Sequence, residues 1–233
     1  MPRSEATVDD QAKFWRLRRS ELLRDLAPAA IKDLGALCRI RVVERGASIY
    51  SVGEPADAIF LVESGAIELS RVLKGREVSL AILGPMDAFG EAALAGVEKR
   101  ADAASAVEDS ILCAVEALPF EKFLTAHPDL ALRFTQLLVR RLLRVENRIQ
   151  DILFENVRTR LAHAIARLVR RFGEQVPGGT RLNLRLTQTD LAQLIGSTRE
   201  TTSTMFNELR REGLVENDGP YIIARDPDVL AMY

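Results

Sequence analysis

The chain has 233 residues, of which 47% are hydrophobic and 28% are charged, as expected for an ordinary globular protein of one large domain or two modest ones. No apolar run is long enough to span a membrane, and the N-terminal MPRSEATVDDQAKFW lacks the apolar core of a signal peptide, which predicts a cytoplasmic protein. The net charge of −1 conceals an asymmetry: residues 156–233 carry 11 Lys and Arg against 9 Asp and Glu, whereas residues 1–127 carry 16 against 20, so the C-terminal part mildly favours an anionic partner.

A β-rich domain is predicted from about residue 39 to residue 115. Short apolar runs are separated there by glycines, and in EVSLAIL the residues Val78, Leu80 and Ile82 alternate with others, as a half-buried strand requires. LKGREVS around Gly75 predicts a hairpin, and LGPMD predicts a tight turn. Many short strands at this spacing favour a β-sandwich or barrel.

The segment FGEAALAGVEKRADAASA contains a candidate anion site. Gly90 and Glu91 open a short segment, and Arg100 follows nine residues after Glu91. Backbone amides at a helix-opening turn and one arginine suit a phosphate, and a carboxylate suits a sugar hydroxyl. Taken alone, the pattern fits a surface loop with an ion pair equally well.

A long helix is predicted from Asp129 to Phe154, where the chain has no Gly or Pro. Five apolar residues on it repeat at steps of 4, 3, 4 and 3, which favours the seam of a helix pair and hence a dimer. The alternative is that the stripe packs on its own domain. The stripe consists of Leu138, Leu142, Val145, Ile149 and Ile152.

The C-terminal part predicts a winged helix-turn-helix. NVRTRLAHAIARLVRRFG reads as a helix that ends at Gly173, EQVPGGT as a loop and RLNLRL as a short strand. TQTD opens a capped helix over Gln188–Ile195, Gly196 supplies a turn, and a second helix runs to Arg211. Ala192 is small where these two helices would cross, and VENDGPYIIA reads as strand, turn and strand.

The start of the second helix favours DNA contact. Six of the eight residues in STRETTST carry hydroxyl groups. A recognition helix enters the major groove by its N-terminal turn, where Arg199 suits guanine and Glu200 suits cytosine N4. Ser197, Thr198 and Thr201 are short enough to reach phosphate oxygens. The alternative is a Ser/Thr-rich cap with an exposed Arg-Glu pair.

Together these motifs resemble the CRP/FNR superfamily of bacterial transcription regulators. The resemblance runs from about residue 20 onward and includes GE…R as a phosphate cassette, HPDLALRFTQLLVRRLLRVENRI as a dimer helix and TQTDLAQLIGSTRETTS as a helix-turn-helix. It implies an α+β fold in three parts: a cyclic-nucleotide-binding-like β-roll (jelly roll) over 1–127, a dimerisation helix and hinge over 128–155, and a winged helix-turn-helix over 156–233. It also implies a homodimer that binds an inverted repeat in double-stranded DNA, acts with RNA polymerase and has no membrane partner.

The same resemblance implies a ligand site and qualifies its ligand. Glu91 matches the family's ribose-contacting Glu and Arg100 its cyclic-phosphate Arg. Ala101 replaces a Ser or Thr, and Asp102 adds a carboxylate beside the phosphate. These departures favour another nucleotide, or no small ligand, over cyclic AMP. The predicted ligand-binding residues are Gly90, Glu91, Arg100, Ala101, Val145 and Glu146, the last two standing where the cyclic-AMP receptor has hydroxyl residues.

Other sensor chemistries of the family fit the sequence less well. An iron-sulfur cluster needs four Cys, whereas Cys38 and Cys113 are the only two and are expected to pack as separate buried thiols. The haem-based sensors need a His or Cys where this chain has GEAAL, which disfavours haem. The two histidines, His127 and His163, form no metal-ligand spacing and no nucleophile–base arrangement, so we expect neither a metal site nor an enzyme.

On the DNA side, the resemblance assigns base reading to Arg199 and Glu200, and phosphate contacts to Thr187, Thr198 and Thr201. Thr204 stands where many members have a second base-reading Arg. Two alternatives remain: a ligand-independent regulator controlled by abundance, and a nucleotide-binding module that regulates a partner enzyme. The helix-turn-helix argues against the second of these.

Overall fold

The computed structural model of the protein describes residues 27–73 and 75–233. The segment that begins at Met1, in which no signal peptide is predicted, lies outside the described residues. The helices are α1 Pro28–Leu37, a 3-10 turn Glu91–Ala95, α2 Ala117–Ala126, α3 Pro128–Phe154, α4 Val157–Phe172, α5 Gln188–Ile195, α6 Arg199–Arg211 and α7 Pro227–Ala231. The strands are β1 Arg39–Val43, β2 Ser48–Tyr50, β3 Ala58–Leu73, β4 Arg76–Leu83, β5 Ala88–Phe89, β6 Ala103–Glu116, β7 Gly173–Val176, β8 Gly179–Leu182, β9 Val215–Asp218 and β10 Tyr221–Ala224.

The first six strands form one sheet, which confirms the predicted N-terminal β domain. Its order is β1-β6-β3-β4, with β2 also paired to β6 and β5 to β3. The antiparallel pairing of β3 with β6 runs from Ala58 opposite Glu116 to Ser70 opposite Ala103. The predicted hairpin lies between β3 and β4, and the left-handed backbone of Gly75 (φ 76°) supports its turn.

Three helices cover the sheet and bury the core of this part of the chain. Ile31 and Leu34 of α1 are almost fully buried, and Phe120 of α2 meets Phe134 of α3 edge to face at 5.5 Å. The apolar residues of α1, α2 and the first turns of α3 share one buried cluster with Ile59 and Cys113 of the sheet.

The predicted tight turn at LGPMD is confirmed, and it holds an unusual residue. Asp87 N donates to Gly84 O at 3.1 Å, and Gly84 N donates to Asp87 Oδ2 at 3.1 Å. Met86, at the third position of this turn, has φ 75° and is the only non-glycine residue with positive φ among those described. The turn thus needs a left-handed backbone where the sequence supplies a methionine.

The prediction that Cys38 and Cys113 pack as separate thiols is wrong: the structure joins them in a disulfide. Cys38 follows the end of α1, and the β1–β6 register places Ile40 opposite Cys113. The two Cα atoms are consequently 5.4 Å apart, within the range of disulfides. Their separation of 75 residues concealed this proximity, because it depends on the pairing of two distant strands.

The described chain divides into two compact units. One contains residues up to Arg71 together with Ile82–Leu142, and the other contains Val72–Ala81 together with Leu143–Tyr233. The second unit holds a sheet of order β7-β8-β10-β9 beside helices α4 to α7.

The predicted strand at RLNLRL is only half right, because β8 ends at Leu182. The segment EQVPGGT, predicted as a loop, instead contributes to both β7 and the start of β8. These strands pair from Val176 opposite Gly179 to Gly173 opposite Leu182. The strand therefore starts earlier than its leucine alternation suggested.

Within the described residues, no helix has the length and apolar character that crossing a membrane requires.

Candidate ligand pocket and nucleic-acid interface

A buried arginine organises the segment between β5 and β6. Arg100 is 4% exposed, and its Nη1 donates to Gly90 O at 3.2 Å while its Nη2 donates to Ala58 O at 2.7 Å. Its guanidinium carbon lies 4.4 Å from the centre of the Tyr50 ring, close enough for a stabilising cation–π contact. These contacts hold Arg100 in one orientation against the sheet.

The Nε of Arg100 is a buried donor without an acceptor among the residues that the structure describes. Leaving a buried N–H without an acceptor costs about 1–3 kcal/mol, so an anionic oxygen placed there would stabilise the site. The Asp57 carboxylate lies 4.0 Å from Nη2, but its side chain is largely exposed and offsets the buried charge only weakly.

Gly90 is required by its close contacts. Its φ is 80°, and a Cβ built on it would lie 2.8 Å from both Ala58 O and Arg100 Nη1. A side chain at this position would strain the backbone and displace the arginine. The glycine therefore lets the turn before Glu91 approach Arg100 directly.

Glu91 is engaged by an arginine that the sequence interpretation missed. Arg141 Nη1 on α3 donates to Glu91 Oε1 at 3.0 Å, and both side chains are more than two-thirds buried. The partners are 50 residues apart, so no local pattern in the sequence pointed to this pair. The carboxylate predicted to bind a ribose hydroxyl is thus held by the protein itself.

The residues after Arg100 bring in two further side chains. Arg71 Nε donates to Ala101 O at 2.7 Å, and the Tyr50 hydroxyl donates to Asp102 Oδ1 at 3.4 Å. Burial, reinforced by the Asp102 charge, raises the pKa of Tyr50 well above its usual value, so the phenol keeps its proton. Asp102 therefore has a neutral donor as its partner, and the backbone at Ala101 is held by a cation.

The remaining predicted ligand and dimer residues lie on α3. Val145 is 42% exposed and Glu146 is exposed, both in the second unit. Leu138 is half-buried and packs against the core of the first unit. The rest of the stripe is open to solvent: Leu142 is 56% exposed, Ile149 51% and Ile152 48%.

The predicted helix-turn-helix forms with its caps in place. Thr187 Oγ1 accepts from Asp190 N at 3.2 Å, and Thr187 N donates to Asp190 Oδ2 at 2.6 Å, which is a complete capping box at the start of α5. Gly196 ends α5 with φ 66°, and the next amide, Ser197 N, donates to Ala192 O at 2.9 Å. The turn therefore has the left-handed glycine that the sequence predicted.

The N-terminal turn of α6 exposes the side chains predicted to contact DNA. Thr198 caps the helix by accepting from Thr201 N at 3.2 Å, and Arg199 and Glu200 are exposed beside this cap. Thr202 is instead fully buried. The hydroxyl groups of this helix start are thus divided between capping, the solvent-facing surface and the interior.

The helix-turn-helix is braced from α4 by residues that the sequence interpretation missed. Arg160 Nε donates to Ile195 O at 3.1 Å, and its Nη1 donates to Glu155 O at 2.9 Å. Arg158 forms an ion pair with Glu212 just beyond the end of α6. Arg160 thus satisfies a carbonyl at the C-terminal end of α5, and Arg158 links α4 to the end of α6.

Comparison with known proteins agrees with both parts of the fold. Residues 40–127 match the cyclic nucleotide-binding domain family, and residues 159–233 match the Crp-like helix-turn-helix domain family. The chain is 29% identical over 216 residues to the CRP-like cAMP-activated global transcriptional regulator of Mycobacterium tuberculosis, which covers 92% of this chain and 96% of that protein. It is 32% identical over 200 residues to the cyclic AMP receptor protein of Thermus thermophilus, covering 85% and 89% respectively.

A solved structure has the same fold. The c-di-GMP responsive global regulator CLP of Xanthomonas campestris superposes with a TM-score of 0.76 at 20% identity, covering 86% of this chain and all of that one.

A nucleotide-binding β domain followed by a winged helix-turn-helix defines a class of DNA-binding transcription regulators. The chain belongs to the CRP/FNR family of these regulators. The Mycobacterium tuberculosis relative is named as a global transcriptional regulator.

Proposed function

We propose that the protein is a homodimeric transcription regulator that binds an inverted repeat in double-stranded DNA. The observation that carries this proposal is the capped, exposed start of α6, where Arg199 and Glu200 face solvent beside Thr198 and Thr201. An arginine there pairs with guanine O6 and N7, and a glutamate accepts from cytosine N4. Cap hydroxyls and free helix-terminal amides suit the flanking phosphates, as Thr187 does at the start of α5.

The exposed stripe on α3 supports a second copy of the chain as the partner. Large apolar side chains at Leu142, Val145, Ile149 and Ile152 are each 42–56% exposed. Their spacing is that of a two-helix seam, and pairing would remove this apolar surface from water. Successive major grooves on one face of DNA lie about 34 Å apart, so a two-fold dimer reads an inverted repeat if its two recognition helices have that separation.

The β domain is proposed to bind a small anionic ligand of the nucleotide class. The unused Nε donor of Arg100 suits a phosphate oxygen, and Glu91 suits a sugar hydroxyl. Because Glu91 is already paired with Arg141, a ligand that takes over Glu91 would change the restraint on α3. Such a ligand alters DNA binding only if it favours one arrangement of the protein, and a shift from 1:99 to 99:1 needs about 5.5 kcal/mol of differential binding.

One observation favours the alternative of a regulator that needs no ligand. Arg100 and Glu91 already have protein partners, since Arg100 Nη1 and Nη2 donate to Gly90 O and Ala58 O and Glu91 accepts from Arg141, which leaves Arg100 Nε as the buried donor without an acceptor in the described part of the chain. A site held mainly by the protein's own groups is able to act as a fixed scaffold, with the amount of protein setting the response. We also propose RNA polymerase as a further partner, because the relatives are transcription regulators.

Fluorescence anisotropy tests the proposal. A labelled inverted repeat with TGTGA-like half-sites is titrated at fixed salt beside a scrambled duplex, without ligand and with cyclic AMP, cyclic GMP or cyclic di-GMP. Tighter specific binding with one nucleotide, lost in Arg100→Lys, would support the ligand-modulated form. Specific binding that ignores all three would support the ligand-independent form, and equal affinity for both duplexes would contradict sequence-specific regulation.

A further inference from the structure

Thr204 lies on the exposed face of α6. It lies one turn after Glu200, and both side chains are exposed, whereas Thr202 and Phe206 on the opposite face are buried. Residues four apart on a helix are neighbours on its surface. Thr204 therefore extends the same surface that presents Glu200.

The hydroxyl of Thr204 is bonded to its own helix. Its Oγ1 donates to Glu200 O at 3.0 Å, which uses its one hydrogen and fixes the rotamer of a β-branched side chain. The hydroxyl oxygen keeps only its acceptor capacity, and the γ-methyl is the other group of this exposed side chain. An apolar contact from a threonine methyl group is a recognised way of reading the C5-methyl of thymine in the major groove.

We infer that Thr204 is a specificity-determining residue that reads a thymine methyl group in the half-site. This inference rests on the proposed DNA binding of α6 and adds the identity of one base. Four residues of helix rise about 6 Å, so the thymine lies at most about two base pairs from the pair contacted by Glu200.

The chain offers matched variants that separate the two groups of this side chain. Thr204→Val keeps a methyl group at the same branch and removes the hydroxyl, whereas Thr204→Ser keeps the hydroxyl and removes the methyl. On the DNA side, replacing thymine by uracil removes the C5-methyl and leaves the hydrogen-bonding edges unchanged. Any contact that the Thr204 hydroxyl makes as an acceptor would be insensitive to that replacement.

The experiment has two stages. Selection from a randomised inverted repeat first identifies the preferred half-site of the wild-type chain, and we expect a conserved thymine within two base pairs of the cytosine read by Glu200. Competition binding then compares duplexes with thymine or uracil at that position. We expect uracil to weaken binding of the wild type and Thr204→Val by about fourfold, the value of one buried methyl group, and to leave Thr204→Ser unchanged.

Three results would overturn the inference. The first is a specific half-site with no thymine in that window. The second is a wild type that binds the uracil duplex as well as the thymine duplex. The third is a Thr204→Ser variant whose affinity falls with uracil as much as that of the wild type. In each case the proposed DNA-binding function stands, because a specific site has still been selected. If selection yields no preferred sequence at all, the proposed function and the inference both fail.

Discussion

Arg141 and Glu91 form a partly buried ion pair with an N–O distance of 3.0 Å, which ties α3 to the 3-10 turn after β5. Their side chains are 19% and 30% exposed. The contact joins the helix that carries the exposed apolar stripe to the carboxylate expected to meet a ligand. A ligand that binds Glu91 would therefore compete with the hydrogen bond through which Arg141 holds α3 to this turn.

Breaking this pair has a modest, measurable cost. We expect Arg141→Ala to lower the free energy of unfolding by about 1 kcal/mol, because Glu91 loses its donor while remaining partly exposed to water. Urea unfolding provides the measurement. The neighbouring, exposed Arg140 supplies the control, and Arg140→Ala should stay within about 0.5 kcal/mol of the parent. Equal effects of the two variants would show that the contact contributes nothing.

Arg100 contributes more to stability because it is buried. Arg100→Ala removes the donors to Gly90 O and Ala58 O and the contact with Tyr50, and we expect a loss of about 3 kcal/mol. Arg71→Ala, which removes a single solvent-accessible hydrogen bond to Ala101 O, should cost less than about 1 kcal/mol. Thermal unfolding of both variants tests the difference, and a reversed order would contradict this account of the buried arginine.

The turn at Met86 predicts a stabilising substitution. Because a left-handed backbone is costly for a residue with a Cβ, Met86→Gly should raise the free energy of unfolding by about 1 kcal/mol. Met86→Ala, which removes the same side chain and keeps the Cβ, is the matched control. Chemical denaturation of the two variants measures the gap, and we expect glycine to be the more stable. An alanine variant as stable as the glycine variant would argue against backbone strain.

Arg199→Ala should remove sequence preference and leave most non-specific binding. A bidentate arginine–guanine contact discriminates by about 1–3 kcal/mol, whereas phosphate contacts are indifferent to sequence. Anisotropy titrations with specific and scrambled duplexes measure the ratio of affinities. Arg210→Ala, at the exposed far end of α6, controls for loss of charge and should keep the ratio. If Arg199→Ala weakens binding equally on every duplex, Arg199 contacts the DNA backbone and does not read a base.

Ile149→Glu tests the proposed dimer seam. A carboxylate at the centre of a helix pair would be buried without a partner, so we expect monomers at concentrations where the parent is dimeric. Light scattering after size-exclusion chromatography reports the mass. Leu118→Glu is the control, because Leu118 on α2 is 70% exposed and lies off the stripe. A parent chain that is itself monomeric would contradict the dimer.

Much of the second unit follows from short stretches of sequence. The capping box at Thr187 and Asp190, the glycine turn at Gly196 and the capped start of α6 at Thr198 each depend on residues within a few positions of one another. Local capping and turn chemistry therefore sufficed to predict the helix-turn-helix.

The first unit was less predictable because its key contacts are distant in sequence. The Cys38–Cys113 bond, the Arg141–Glu91 pair and the Arg71 contact with Ala101 arise from strand pairing and helix docking, which periodicity does not reveal. The sequence did predict a strand-rich region, the hairpin and the tight turn. The expectation that glycines separate short strands was wrong at Gly65, which lies within the 16 residues of β3. The sequence did not predict which groups of the protein pair with Glu91 and Arg100, since those contacts depend on tertiary packing.

Sedimentation of the full chain with a labelled duplex tests the central claim most directly. The duplex carries the inverted repeat, with a scrambled duplex and a single half-site as comparisons at the same salt. We predict two chains on each inverted repeat, at a concentration where the scrambled duplex remains free and the half-site binds more weakly. One chain per duplex, or equal occupancy of all three duplexes, would contradict a dimeric reader of an inverted repeat.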